Sequence, residues 1–235
     1  MTLPADFGPQ SLIEIAEAAQ EKPALSFRDA VARVIDDEES VRKSTCFSLR
    51  VVGIDAVSYE SAEAFLEGDS LRRPGCVILD VRMPGMSGLE LQDEMLRRGI
   101  DLPILFLTGH GDVGMAVSAL KKGAGDFCEK PADPGKLREA VRRLTAQNIE
   151  SRKTRFALEM MKKRFDSLTP REKDVIRLVA ADTLNKVIAL DLGIQEHTVK
   201  IHRANACRKL GIRSALDAHK YLSAIGELEA AGRGA

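Results

Sequence analysis

The stretch "CVILDVRMPGMSG", residues 76–88, decides how the chain folds. Val77-Ile78-Leu79 is an unbroken apolar run that stops at one carboxylate, Asp80. Turn-forming residues follow at once, Met83-Pro84-Gly85 and then Ser87-Gly88. A short apolar run bounded in this way reads as a strand buried on both faces, as in a parallel sheet. An Asp at its end serves equally well as a turn residue or as a nucleophile.

Working outward, the same texture repeats. "PILFLT" (103–108) is a second buried strand, and "AVARVI" (30–35) a third, ending in Asp36-Asp37. "DAVSY" (55–59) and "GDFCEK" (125–130) are shorter strands. Helical segments lie between them at 40–53, 61–68, 88–99 and 113–123, and Asp133 caps another with Pro134 at its first position. Strands alternating with helices of this length imply a parallel α/β sheet with helices on both faces. Upstream, "SLIEIAEAAQ" (11–20) is either a short amphipathic helix or part of a frayed tail.

The C-terminal third is different. Residues 137–165 contain neither Gly nor Pro and have apolar positions spaced for a helix face, which suits a basic helical linker. "TPRE" (169–172) is a capping box with Pro in the first turn. Three more helices follow, and a tight Gly193 turn joins the segments 184–192 and 196–210. Two short helices joined so closely form the helix-turn-helix pattern.

Composition limits the alternatives. With 235 residues the chain holds one large or two modest domains. Its formal charge is zero, so any nucleic-acid surface must be a local patch. Trp is absent and aromatics are 4%, which excludes a binder that works by aromatic stacking. Four scattered cysteines without a CxxC pair argue against zinc or a disulfide framework. No apolar run is long enough for a membrane span, and "MTLPADFGPQ" lacks the order of a signal peptide. The expected location is cytoplasmic, with no membrane partner.

In an open parallel sheet ligands bind beyond the carboxyl ends of the strands. Asp36, Asp37, Asp80, Thr108 and Lys130 all fall at such ends. Three carboxylates together repel one another, a divalent cation with a preference for oxygen ligands such as Mg²⁺ relieves this, and the lysine adds a second positive charge. Such a site suits phosphoryl transfer, with one carboxylate attacking phosphorus.

At this point the chain resembles a known family. "VIDDEES", "ILDVRMPGMSGLEL", "LFLTGHGDV" and "GAGDFCEKP" resemble the receiver domain of two-component response regulators. The resemblance implies a flavodoxin-like five-stranded parallel sheet of order 2-1-3-4-5. It makes Asp80 the phospho-acceptor, with Asp36, Asp37, Asp80 and the backbone carbonyl of Arg82 holding Mg²⁺. It gives Lys130 a phosphoryl contact and a cis bond to Pro131, makes Thr108 and Phe127 a switch pair, and places Arg82 and His110 where they tune phosphoryl lifetime. "LTPREKDVIRLVAADTLNKVIALDLGIQEHTVKIHRANACRKLGIRSALD" resembles the LuxR-type DNA-binding domain of the NarL/FixJ response regulators. That implies base-edge contacts from Lys200, Ile201 and Ala204, and phosphate contacts from Lys186, His197, Thr198, Arg203 and Lys209.

The organisation expected is an N-terminal extension (1–28), a receiver (29–145), a helical linker (146–165), a helix-turn-helix domain (166–225) and a tail (226–235). The partners implied are a sensor histidine kinase, double-stranded DNA, RNA polymerase and a second copy on phosphorylation. Four departures from the family's usual residues stand out: Ala132 for an aromatic, Asp182 for Gly, Gln195 for a Ser cap, and Ala206-Cys207 for bulkier side chains. Two other functions compete. An aspartyl-phosphate enzyme would carry a second Asp two positions after the nucleophile, where this chain has Arg82; a redox-controlled DNA binder would use Cys207.

Overall fold

The computed structural model describes residues 26–109 and 123–228. The segments 11–20 and 113–122, where helices were considered, and His110 lie outside these residues. The described chain divides into two compact units at Arg152/Lys153, inside the stretch expected as a linker.

The first unit alternates strand and helix: β1 (Val31–Ile35), α1 (Glu39–Arg50), β2 (Ala56–Tyr59), α2 (Ala62–Gly68), β3 (Gly75–Asp80), α3 (Gly88–Arg97), β4 (Ile104–Thr108), β5 (Asp126–Glu129) and the start of α4 (Pro134–Asp166). The sheet order is β2-β1-β3-β4-β5 and every pairing is parallel. Successive side chains of a strand point to opposite faces. Ala32, Val34, Cys76, Ile78, Leu105 and Leu107 therefore pack on one face, against Leu49 of α1 and Leu137, Val141 and Leu144 of α4. Ile35, Val77, Leu79 and Phe106 pack on the other, against Phe65 of α2 and Leu91 and Met95 of α3.

Away from their carboxyl ends, the central strands hold one residue that breaks their apolar rule. Arg33, in β1, is only 1% exposed. A buried charge is tolerable only if paired and fully hydrogen-bonded. Its guanidinium donates to both Asp69 oxygens, at 2.7 and 3.1 Å, and to the carbonyls of Val31 and Arg73. Asp69 also accepts from the Tyr59 hydroxyl and the Leu71 amide. Burial alone would raise the Asp69 carboxyl; Arg33 and these donors hold it below its usual range.

The amino ends of β3 and the approach to β4 are tied to α4. Asn148 accepts from the Gly75 amide at 3.0 Å and donates to the Asp101 carbonyl at 2.7 Å. Arg152, one turn on, pairs with the Asp101 carboxylate and donates to the carbonyls of Arg72 and Leu71.

The second unit is helical. Met161 and Phe165 of α4 enter a core with α5 (Pro170–Ala180), α6 (Asn185–Leu192), α7 (Glu196–Leu210) and α8 (Ala215–Ala224). Thr169 caps α5 through the expected capping box, and Ser214 caps α8 through a second box with Asp217. Gly193 ends α6 in the left-handed conformation at φ 63°. The buried Tyr221 hydroxyl donates to the Met161 carbonyl at 2.8 Å. Gln195 precedes α7 without a side-chain cap bond, as its residue type leads one to expect.

Asp182 holds the position after α5 at φ 56°. Its amide bonds to Val179 O and the Thr183 amide to Leu178 O, the two-bond pattern of a Schellman ending. This turn needs a left-handed residue, which Asp adopts at a cost and Gly does not. Asp182→Gly is therefore expected to stabilise this unit by about 0.5–1 kcal/mol. A higher urea midpoint with an unchanged slope checks it.

Candidate functional site

The carboxyl ends of β1, β3, β4 and β5 bring the acidic and basic residues to one edge of the sheet. Asp36 and Asp80 are buried and Asp37 is exposed. One carboxylate oxygen from each lies within 4.8 Å of the others. Lys130 reaches both buried acids, 2.7 Å from Asp36 Oδ2 and 3.1 Å from Asp80 Oδ2. Asp36 is fixed further by the Glu38 amide on its other oxygen, at 2.9 Å. The Arg82 amide hydrogen-bonds the Asp80 carboxylate. The Lys130-Pro131 bond is cis. An all-oxygen donor set with three carboxylates against one ammonium fits a hard divalent cation such as Mg²⁺.

Thr108 is buried at the end of β4, and its hydroxyl stands 3.5 Å from the Cys128 carbonyl, at the limit of a hydrogen bond. Phe127 is 38% exposed on β5.

In the second unit, Val199, Ala206 and Leu210 of α7 are buried and His202 half-buried, leaving the opposite face to solvent. His197, Lys200, Ile201 and Ala204 lie on that exposed face, with Thr198 beside it. Lys186 is exposed on α6. Lys200 forms an exposed pair with Glu196 at 3.0 Å. The remaining two residues are engaged within the fold. Arg203 donates to Asn185 of α6 at 3.0 Å. Lys209 lies 2.7 Å from the buried carboxylate of Glu172, the acid of the α5 capping box.

Two families match these two constellations. The response regulator receiver domain matches residues 32–142, and the luxR family of bacterial regulatory proteins matches residues 166–222. Nodulation protein W of Bradyrhizobium diazoefficiens is 39% identical over 84% of the chain and 87% of its own length. The transcriptional regulatory protein FixJ of Azorhizobium caulinodans is 42% identical over 75% of the chain and 84% of its own. The solved structure of response regulator StyR covers 83% of the chain and 98% of its own, at 39% identity and a TM-score of 0.77. The chain belongs to the NarL/FixJ-type response regulators. It is a transcriptional response regulator with a receiver and a LuxR-type helix-turn-helix DNA-binding domain. Among the described residues no helix is long and apolar enough to cross a membrane.

Several residues that shape this response regulator's sites lie outside its sequence motifs. Arg42 of α1 donates to the carbonyls of both Asp36 and Asp37. A basic side chain one helical turn after an acidic pair was a usable signal. Glu63 of α2 accepts from the Met86 amide at 3.1 Å and so pins the loop after Asp80. No local signal links it to a residue 23 positions away. Glu172 was seen as a cap but not as the partner of Lys209.

The last glycine of the opening stretch sets the Asp80 backbone. A Cβ on Gly88 would lie 2.1 Å from the Asp80 carbonyl oxygen, so α3 starts directly against the strand end. Gly88→Ala must push Asp80 or α3 aside, at an expected cost of about 2–3 kcal/mol. A similar Cβ at Gly53 meets nothing, so any penalty for Gly53→Ala comes from its positive φ alone. Denaturant unfolding, with the amide shift of Asp80 as the local readout, checks this.

Burial, the largest influence, raises the Asp80 carboxyl above its ordinary range; Asp36 adds to this, while Lys130 and the Arg82 amide oppose it. The folded state then holds this proton more tightly than the unfolded chain. The ionisation penalty is absent below the unfolded pKa and complete above the folded one, hence present at neutral pH. Asp80→Asn is expected to stabilise the receiver at pH 7, because it removes this penalty. The gain should shrink as pH falls into the carboxylate range, as thermal melts across pH will show.

Proposed function

We propose that Asp80 accepts a phosphoryl group from a sensor histidine kinase, and that this switches dimerisation and promoter binding. The observation that carries the reading is Lys130 bridging Asp36 and Asp80 at 2.7 and 3.1 Å. One ammonium already bonded to the acceptor carboxylate stands ready to follow charge onto a phosphoryl oxygen. In the transfer, an Asp80 oxygen forms the new O–P bond as the P–N bond of phosphohistidine breaks. The departing electron pair stays on the imidazole, which takes a proton from water.

Asp36, Asp37, Asp80 and the Arg82 carbonyl would hold Mg²⁺, whose charge neutralises the equatorial phosphoryl oxygens. Burial of Asp80 raises its basicity while its attachment to β3 fixes its position. Thr108, weakly held at Cys128, is free to turn its hydroxyl toward a phosphoryl oxygen, and Phe127 follows into the vacated space. That repacks the face beside β4 and β5, biasing the population toward a dimer.

A dimer sets two α7 helices on half-sites about one helical turn apart. Lys200, Ile201 and Ala204 then meet base edges, where the apolar pair suits thymine methyls. Lys186, His197, Thr198 and Arg203 hold phosphates. Lys209, placed among the phosphate contacts on family grounds, must leave Glu172 to join them. RNA polymerase is the further partner of the DNA-bound dimer, and the cytoplasm the place of action. Turnover is confined to loss of the protein's own phosphoryl group; no external substrate is processed.

With acetyl phosphate and Mg²⁺, the wild-type chain should incorporate one phosphoryl group and bind selected DNA on the order of tenfold more tightly. The DNA comes from a random pool enriched with phosphorylated protein. Asp80→Asn should lose both responses. Unaltered phosphate incorporation and DNA affinity in that variant would sink the reading.

A further inference from the structure

The turn between β1 and α1 carries two of the three acids, and three different elements restrain it. The Asp36 amide donates to the Tyr59 carbonyl of β2 at 3.3 Å. Lys130, from the loop after β5, holds Asp36 Oδ2. The third restraint comes from α1 itself. Arg42 Nη1 donates to the Asp36 carbonyl at 2.7 Å and to the Asp37 carbonyl at 2.8 Å.

One nitrogen on two consecutive carbonyls sets the orientation of the peptide planes on both sides of Asp37. Those planes decide where the Asp37 side chain leaves the backbone. Asp36 has other anchors, whereas Asp37 is exposed. A group that orients metal-ligating side chains without touching the metal governs affinity rather than chemistry.

We propose that Arg42 is a positioning residue for the divalent-cation site, clamping the Asp36–Asp37 turn so that Asp37 meets the cation alongside Asp36 and Asp80. The proposal rests on the phosphoryl-acceptor reading of Asp80. Loss of Arg42 weakens cation binding while leaving the phosphoryl-transfer step intact once the site is filled. A role in folding alone would lower stability and leave the cation affinity of the folded protein unchanged.

The test is a titration of the ¹⁵N-labelled full chain with MgCl₂, followed through the amide shifts around Asp37 and Asp80. Arg42→Met keeps the aliphatic stem over α1 and removes the donor; it should raise the Mg²⁺ dissociation constant roughly 10–100-fold. Arg42→Lys, which retains a charged donor on a stem of similar length, should recover most of that loss. Acetyl phosphate kinetics supply the second readout: the Mg²⁺ concentration for half-maximal rate rises in Arg42→Met, and the rate at saturating Mg²⁺ stays within about threefold of wild type. A folded Arg42→Met with an Mg²⁺ constant within twofold of wild type overturns the proposal. So does Arg42→Lys behaving as poorly as Arg42→Met. If Arg42→Met does not fold, Arg42→Gln takes its place under the same criteria. Failure of the acceptor reading looks different: the wild-type chain itself would take up no phosphoryl group from acetyl phosphate.

Discussion

Negative charge crowded at one end of a sheet has to be answered, and in this receiver the first answer is a single ammonium. Lys130 bonds Asp36 and Asp80 together. Burial depresses a lysine, but the hydrogen bonds and charges of these two acids outweigh it and hold Lys130 above its usual range. It therefore remains a cation throughout the physiological range. The sheet order follows from the same need. Only with β1 and β3 adjacent, and β4 and β5 beyond them, do the two acids and the lysine arrive at a common edge.

Around this pairing lies a shell that touches no reacting atom. Arg42 holds the turn carrying the acid pair, Glu63 holds the loop after Asp80, and Gly88 lets α3 begin against the Asp80 carbonyl. Each fixes backbone rather than side chain. A carboxylate at a strand end has few rotamers, so its placement is inherited from the main chain. The DNA-binding unit uses the same device: Glu172, buried at the start of α5, fastens the end of α7 through Lys209. Burial there pushes the carboxyl up, yet Lys209 and the Thr169 cap hold it below its usual range.

What the sequence disclosed was whatever is local. The runs 77–79 and 104–107 have the composition of doubly covered strands, and each capping box lies within four consecutive residues. The acids were legible because each closes an apolar run. Arg33 was not, because its partner Asp69 lies 36 residues away in a loop. Inside β1 it looks like a polar residue on a strand edge, and only the fold makes it the centre of a buried network. Asp182 was noticed as a departure, and its left-handed φ gives the reason: the turn still needs what glycine does best. The inward engagement of Lys209 and Arg203 could not be read from a helical wheel, which shows a face but not what leans on it.

The ties made by Asn148 and Arg152 have a practical side. Both lie beyond residue 145, where the apolar spacing of α4 against the sheet stops, yet they satisfy the Gly75 amide and the Asp101 carboxylate at the base of β3 and β4. Modular regulators invite the exchange of output domains by cutting in the connecting helix. A chimera spliced at 145 would strip the receiver of both ties, removing the bonds that Asn148 makes to the Gly75 amide and Asp101 carbonyl and those that Arg152 makes to the Leu71 and Arg72 carbonyls. A splice after Arg152 keeps them, and with them the strand whose far end carries Asp80.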